Sequence, residues 1–147
     1  MQRTGTRGLE LIKRFEGFQP QIYRDAVGLP TIGYGHLLKA GEAEIFAAGI
    51  SETAAEALLL SDIRIAEDAV ARCIEADLTE AQFDALVSFT FNMGSGALAR
   101  SQLAAKINAG DHKGAPDEFK RWVYAGGRRL RGLVRRRRAE AALYVSA

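Results

Sequence analysis

Two carboxylates, a hydroxyl and a histidine lie within a glycine-rich stretch of the sequence, at Glu16, Asp25, Thr31 and His36. A pair of carboxyl groups facing each other across a groove would suit glycoside hydrolysis, in which one protonates the leaving oxygen and the other activates water. Glu16 has the more apolar neighbours, Phe15 and Phe18, so we assign it the acid role. Asp25, beside Arg24, should stay ionised. The alternative is that both are ordinary surface charges.

The elements that would position these groups can be predicted from local patterns. A short amphipathic helix is indicated by apolar residues at Leu9, Ile12 and Phe15. It should end at Glu16, because Gly17 is typical of a helix stop. Residues 22–36 alternate in the manner of two strands joined by a turn, which predicts a β-hairpin. In such a hairpin Thr31 could approach Asp25 across the turn.

Three blocks carry a resemblance to a known family. They are Glu16 to His36 with its Tyr23-Arg24-Asp25 and Gly33-Tyr34-Gly35-His36 strings, residues 82–94, and Trp122 through the arginine run from Arg135. In this order and spacing they resemble the phage-type lysozymes, the endolysins of glycoside hydrolase family 24. The resemblance covers nearly the whole chain.

The resemblance implies both an activity and a fold. Glu16 would be the proton donor, and Asp25 with Thr31 would hold the attacking water. The reaction would be hydrolysis of the β-1,4 bond between N-acetylmuramic acid and N-acetylglucosamine in bacterial peptidoglycan, causing host cell lysis. The fold class would be α+β and mainly α-helical, as a single lysozyme-like domain over residues 1–147. A small β-hairpin lobe, about 15–50, would be joined by a long helix to a helical lobe, about 51–147, that also includes the N-terminal helix.

The family also implies supporting residues. His36 would pair with an acid in the following helical region, for which Asp62 and Asp68 are both candidates. A guanidinium from the C-terminal segment would face the acid glutamate, with Arg135 the first choice and Arg138 the second. Three further positions are carried over as substrate contacts: Leu37, Phe91 and Asn92.

Beyond the hairpin the patterns are helical. The string Thr53-Ala54-Ala55-Glu56 resembles a capping box and predicts a long helix with an apolar face that extends to Cys73, which we expect in the core. Thr79 and Gln82 form a second capping box for a helix ending near Gly94. Trp122 is expected to be a core residue. Shorter helices are predicted at residues 101–109, 116–124 and 133–145.

Composition limits the class of protein. A chain of 147 residues with 48% hydrophobic and 26% charged residues has enough apolar material for a folded core. It has no apolar run of the ~20 residues that cross a bilayer, so we expect no stable membrane insertion. Residues 1–8 lack the apolar stretch of a signal peptide or membrane anchor. Together with the family resemblance, the lack of such a stretch predicts that the protein accumulates in the bacterial host cytoplasm and reaches the cell wall after holin-type release.

Cysteine and histidine usage indicates no cofactor and no metal. The single cysteine, Cys73, excludes an internal disulfide, and the two histidines, His36 and His112, belong to no cluster with ligand spacing. We expect a monomer, the default for an enzyme that must enter a polymer mesh.

Charge is concentrated at the C-terminal end, where residues 121–147 contain eight arginines and one acid, Glu140. Such a segment could bind nucleic acid, follow an anionic envelope or be a solvated helix face. Residues 135–138 are four consecutive arginines, which should surround a helix rather than form one stripe. No nucleic-acid motif accompanies them, so we expect no nucleic-acid partner.

Two other functions stay open from the sequence. One is a lytic transglycosylase, in which the muramic acid's own hydroxyl replaces water. The presence of both Asp25 and Thr31 argues for hydrolysis instead. The other is a non-catalytic binder of cell wall or nucleic acid.

Overall fold

The computed structural model describes residues 2–147, which form eight helices and five short strands. The helices are α1 (Thr6–Glu16), α2 (Glu42–Ile45), α3 (Glu52–Cys73), α4 (Glu80–Met93), α5 (Ser95–Arg100), α6 (Gln102–Asn108), α7 (Ala115–Phe119) and α8 (Arg131–Tyr144). The strands are β1 (Gln19–Arg24), β2 (Pro30–Gly33), β3 (His36–Leu37), β4 (Tyr124–Ala125) and β5 (Arg128–Arg129). The protein is therefore α+β and mainly helical, as the sequence predicts.

The chain forms two compact units. We call residues Ile12–Arg64 the hairpin unit, and the N-terminal residues through Leu11 with Ile65–Ala147 the helical unit. The unit boundaries fall within α1 and α3. None of the helices within residues 2–147 combines the length and apolar character needed to cross a lipid bilayer.

In the hairpin unit, β1, β2 and β3 form an antiparallel sheet in that order. The predicted hairpin is confirmed, but its second strand does not run on to His36. The chain turns between Gly33 and Gly35, both of which have positive φ, and returns as β3. This places Thr31 opposite Tyr23 on one side and Leu37 on the other.

The core of the hairpin unit is apolar and includes Ile12, Ile32, Leu59 and Ile63, each at most 1% exposed. The predicted apolar face of α3 is confirmed, but the predicted helix start is wrong. The Ser51 hydroxyl accepts a hydrogen bond from the Ala54 amide at 3.1 Å, so Ser51 is the cap and α3 begins at Glu52. Cys73, at the end of α3, is half-buried rather than in the core.

In the helical unit, α4 is the most deeply buried element, and nine of its residues are buried. Its predicted capping box is confirmed: Thr79 accepts from the Gln82 amide and Gln82 accepts from the Thr79 amide. Phe89 meets Trp122 edge to face at 5.5 Å between ring centroids, so Trp122 packs against the core, but its side chain is half-buried rather than in the core as predicted.

The segment after α7 differs most from prediction. The helix predicted at residues 116–124 ends at Phe119, and the chain continues as the hairpin β4–β5. Gly126 and Gly127 connect these strands with positive φ at both positions, a conformation that favours glycine. The other two predicted short helices are confirmed as α6 and α8, while α2 and α5 were not predicted.

Candidate active site

Glu16 is the last residue of α1 and its side chain is half-buried. The helix stops there because Gly17 takes a left-handed conformation, φ 71°, while its amide still bonds to the Lys13 carbonyl. The Glu16 carboxyl group lies close to the backbone of Gly35. A Cβ atom on Gly35 would be only 2.6 Å from Glu16 Oε1. Gly35 therefore provides the space in which the carboxyl group sits.

Asp25 lies in the tight turn between β1 and β2. Its Oδ1 accepts hydrogen bonds from the amides of Val27 at 3.0 Å and Leu29 at 2.8 Å. The backbone closes the same turn, because the Asp25 amide donates to the Leu29 carbonyl at 2.9 Å. The two bonds to Oδ1 fix the orientation of the Asp25 carboxylate, and Oδ2 takes no part in them.

Thr31 is only 2% exposed, at the start of β2. Its hydroxyl donates to the carbonyl of Leu29 at 2.9 Å, and the Leu29 amide donates to Asp25. The structure therefore links Asp25 and Thr31 through Leu29. Because the Thr31 hydroxyl uses its proton in this bond, its oxygen lone pairs are left to accept a hydrogen bond from another group.

Tyr23 is affected by the charges of both carboxylates, and its role cannot be assigned from the sequence alone. Its pKa is raised, first by burial and then by the negative charges of Glu16 and Asp25. Both carboxyl groups therefore act on one phenol, which is also the strand neighbour of Thr31. Its place in the site follows from the strand register of the hairpin, which pairs Tyr23, and not Asp25, with Thr31.

His36 is buried between two acids. Its Nδ1 lies 2.7 Å from Asp62 Oδ2, and its Nε2 lies 3.0 Å from Glu42 Oε1. Burial alone would lower the pKa of His36, but the hydrogen bonds and charges of Asp62 and Glu42 outweigh it, so the pKa is raised. Asp62 is therefore the acid that pairs with His36, whereas Asp68 is exposed on α3. The ring joins β3 to α2 and α3.

Glu42 was not predicted because α2 has only four residues, too few for a periodic pattern. Its Oε1 also accepts from the Lys39 amide at 2.6 Å. This backbone bond, followed by the bond to His36, lowers the pKa of the Glu42 carboxyl group.

The remaining predicted contacts are distributed over the two units. In the hairpin unit, Leu37 is exposed next to Thr31 on the sheet. In the helical unit, Phe91 is half-buried and Asn92 exposed near the end of α4. Asn92 Oδ1 accepts a hydrogen bond from Arg137 Nη2 at 2.8 Å.

The arginine run on α8 is divided between core and surface. Arg135 and Arg138 are exposed, whereas Arg136 and Arg137 are 3% and 0% exposed. With Arg131, the exposed arginines recur at helical spacing along one stripe. The four consecutive arginines surround the helix as predicted, but two of them face the core. The expectation that they form no stripe is therefore wrong for the exposed arginines.

The two buried arginines surround Glu140, which is fully buried. Arg137 Nε lies 2.7 Å from Glu140 Oε1, and Arg136 Nε lies 3.3 Å from Oε2. The Ser88 hydroxyl donates to the same Oε2 at 2.6 Å. Burial raises the pKa of Glu140 and lowers that of Arg137, although their opposite charges act against both shifts. The spacing of three and four residues on one helix was the sequence signal for this cluster.

Within residues 2–147, no group of three or more His, Cys, Asp or Glu side chains is arranged to hold a metal ion. The hairpin unit contains two carboxyl groups with different surroundings and a buried hydroxyl, which are groups that can donate and accept protons or hydrogen bonds.

Comparison with known proteins identifies the family of the chain. Residues 13–140 match the phage lysozyme family. The chain belongs to the phage lysozyme family. Among the relatives of this phage lysozyme is the endolysin of Salmonella phage P22, 36% identical over 99% of this chain and 100% of the relative. The endolysin of Bacillus phage B103 is 41% identical over 95% of this chain but only 52% of the relative. The chain thus spans about half the length of that Bacillus phage protein.

Solved structures show the same fold. The muramidase domain of SpmX from Asticaccaulis excentricus superposes with a TM-score of 0.88 at 33% identity, covering 100% of both chains. A P22 lysozyme mutant superposes with a TM-score of 0.84 at 31% identity, covering 99% of this chain and 100% of that one. The fold of this phage lysozyme is therefore lysozyme-like, as the sequence resemblance implied.

Proposed function

We propose that this phage lysozyme is an endolysin muramidase that hydrolyses the β-1,4 bond between N-acetylmuramic acid and N-acetylglucosamine in bacterial peptidoglycan, and so lyses the host cell. The observation that carries the proposal is how the hairpin unit positions two carboxyl groups and a hydroxyl. Glu16 lies against Gly35 at the end of α1, and Asp25 is fixed in a turn whose Leu29 also binds the Thr31 hydroxyl. Family membership and the endolysin relatives support the same substrate.

Each group has a role that follows from its surroundings. Glu16, at the helix end against Gly35, protonates the leaving glycosidic oxygen as general acid. Asp25 receives two turn amides on one oxygen, so the carboxylate is oriented to accept a proton from water through the other. The Thr31 oxygen, whose proton is engaged by Leu29, accepts a second hydrogen bond from the same water.

The supporting assignments are made within each unit. His36 holds the sheet to α2 and α3 through Glu42 and Asp62, and takes no part in proton transfer. Leu37, exposed beside Thr31, offers an apolar contact to a sugar ring. In the helical unit, Phe91 and Asn92 contact the substrate, and the exposed Arg135 supplies positive charge.

We place the protein in the cytoplasm of the bacterial host until a holin-type opening releases it, and expect a monomer without nucleic-acid partners. Family membership supports this route, although relatives include a SAR-endolysin of Escherichia phage Mu, 38% identical over 83% of this chain and 69% of the relative. Expression with and without a holin, followed by the rate of lysis, tests the route. Lysis at equal rates without the holin would overturn it.

The test of the activity is digestion of purified peptidoglycan by the wild type and by Glu16→Gln, with mass spectrometry of the released fragments. The proposal predicts reducing muramic acid ends from the wild type and none from the variant. Glu10→Gln is the matched control, because Glu10 is an exposed glutamate on the same helix. Anhydro ends would indicate a lytic transglycosylase, and equal release by wild type and Glu16→Gln would remove Glu16 from the reaction.

A further inference from the structure

Residues 119–139 of the helical unit contain nine arginines and lysines and no acidic side chain. Two of the nine, Arg136 and Arg137, are buried and paired with Glu140. Five others are exposed on β5 and α8, and we call them the basic surface: Arg128, Arg129, Arg131, Arg135 and Arg138. The acids that bound the segment, Glu118 and Glu140, are 5% and 0% exposed. Positive charge on this surface is therefore not interspersed with negative charge from the same segment.

This arrangement lowers the stability of the isolated protein. Arg128, Arg129 and Arg131 lie around the start of α8, whose first turn contains no acid and whose N-cap residue, Leu130, provides no side-chain cap. Cations are unfavourable at a helix N-terminus, which carries partial positive charge, and neighbouring like charges also repel each other. A solvated surface is usually built from charges of both signs. An anionic partner would remove both costs.

Two exposed apolar side chains accompany the arginines. Tyr124 is 59% exposed and pairs with Arg129 across the β4–β5 hairpin, so the two side chains share one face of it. Leu130, between Arg129 and Arg131 in the chain, is 40% exposed. All four residues of β4 and β5 are exposed, so packing within the protein does not account for a tyrosine at this position.

We infer that the basic surface, together with Tyr124 and Leu130, is a peripheral docking site for an anionic phospholipid bilayer. The guanidinium groups bind the lipid phosphates, and the two apolar side chains enter the boundary between headgroups and acyl chains. A phenol suits this boundary, because its ring is apolar while its hydroxyl stays in contact with water. A dissolved polyanion offers phosphates to the arginines but nothing to Leu130, so a bilayer matches the surface better.

Such docking goes beyond muramidase activity. It is reversible, because it rests on charge and shallow apolar contact rather than on a segment that crosses the bilayer. If the proposed cytoplasmic route holds, docking would keep the protein against the inner membrane until release.

Co-sedimentation of the whole chain with lipid vesicles tests the inference. Vesicles of about 30% phosphatidylglycerol in phosphatidylcholine should bind the wild type at about 0.05 M salt and release it at about 0.5 M salt. Pure phosphatidylcholine vesicles should not bind it. The double variant Arg128→Gln, Arg129→Gln should bind at least about tenfold more weakly, because each arginine near an anionic surface contributes roughly fivefold.

A matched double variant controls for net charge. Arg72→Gln with Arg100→Gln removes the same two charges from exposed positions on α3 and α5, and should weaken vesicle binding by less than about twofold. Equal losses in the two double variants would overturn the inference, because they would show that net charge alone attracts the protein to the vesicles.

Tyr124→Thr separates a bilayer from any other polyanion. The variant keeps every charge and places a β-branched residue in the strand. Binding to the anionic vesicles should fall about threefold or more, while binding to polyphosphate in solution should stay unchanged. Unchanged vesicle binding by Tyr124→Thr would overturn the assignment to a bilayer.

Turnover keeps this inference separate from the proposed function. The variants of Tyr124, Arg128 and Arg129 should release reducing muramic acid ends from lipid-free peptidoglycan at the wild-type rate in about 0.5 M salt, which also shows that they fold. A wild type that digests peptidoglycan but does not bind the anionic vesicles would overturn the docking site alone. A wild type that binds the vesicles but releases no reducing ends would overturn the muramidase proposal alone.

Discussion

The candidate carboxylates of the hairpin unit and the buried ion pairs of α8 in the helical unit differ in how their charge is surrounded. In the hairpin unit, Glu16 and Asp25 are half-buried; Glu16 lies against the backbone of Gly35, and Asp25 accepts hydrogen bonds from two turn amides. In the helical unit, Arg137 and Glu140 are fully buried and paired with each other. The first arrangement orients charge and leaves it available to a substrate. The second uses charge to fix the packing of α8 on α4.

The largest effect on stability should come from breaking the buried cluster. Glu140→Gln removes the counter-charge of two buried guanidiniums, so the free energy of unfolding should fall by about 3–5 kcal/mol. Urea denaturation measures this. Arg138→Ala, exposed on the same helix, is the control and should change stability by no more than about 0.5 kcal/mol. A loss below about 1 kcal/mol in Glu140→Gln would contradict the distinction between the units.

A second substitution tests the backbone support of Glu16. Gly35→Ala places a methyl group 2.6 Å from the Glu16 carboxyl oxygen, and should lower turnover by about 10–100-fold through displacement of the acid. Gly110→Ala is matched for backbone strain, because both glycines have positive φ, 75° and 85°. A Cβ on Gly110 would meet nothing within 4 Å. Both variants should lose about 1 kcal/mol of stability, but only Gly35→Ala should lose activity. Equal losses of activity in the two variants would indicate that backbone strain, and not displacement of the Glu16 carboxyl group, lowers turnover.

The contacts of His36 with Asp62 and Glu42 predict that the free energy of unfolding depends on pH. Since the folded protein raises the pKa of His36, this contribution is complete below about pH 6.5 and is lost as pH rises through the folded value. The pKa of Glu42 is lowered, so its contribution is present above the ordinary glutamate value and is lost in stronger acid. The free energy of unfolding should therefore be higher at pH 6 than at pH 9.

His36→Asn should reduce this pH difference and lower stability at pH 6 by about 1–3 kcal/mol, because Asp62 and Glu42 lose a charged partner. Denaturant unfolding at both pH values measures it. A variant that keeps the wild-type difference would show that other groups cause it.

The smallest predicted effect concerns the exposed arginine stripe of Arg131, Arg135 and Arg138. Attraction to an anionic envelope is screened by salt, so turnover on whole cell walls should fall a few-fold, by roughly 2–5 times, between 0.05 and 0.5 M salt. Replacing all three arginines by Gln should flatten the profile. A flat profile in the wild type would rule out electrostatic attraction by this surface.

Helix ends that are marked by a few neighbouring residues could be predicted from the sequence. The capping box at Thr79 and the glycine stop after Glu16 fix a helix end within a few residues, and both were confirmed. Ser51 and Thr53 are competing caps only two residues apart, and the sequence does not distinguish them. The short helix α2 and the β4–β5 hairpin contain too few residues for a periodic pattern.

The residues of the candidate site could likewise be predicted only in part from the sequence. Glu16, Asp25 and Thr31 could be selected by residue type and spacing, but Tyr23 required the strand register and Glu42 required α2. In the arginine run, the spacing to Glu140 indicates which arginines could pair with it, but not that the pairs are buried. In the core, Glu140 pairs with Arg136 and Arg137, and Arg136 also contacts Ser88.

The most direct test of the division between the units is a crossed measurement on Glu16→Gln and Glu140→Gln, each assayed for peptidoglycan turnover per folded molecule and for free energy of unfolding. We predict that Glu16→Gln loses turnover at least about 100-fold with stability within about 0.5 kcal/mol of the wild type. Glu140→Gln should lose stability and keep turnover below its unfolding transition. Loss of both properties in both variants, or retained turnover in Glu16→Gln, would contradict the account.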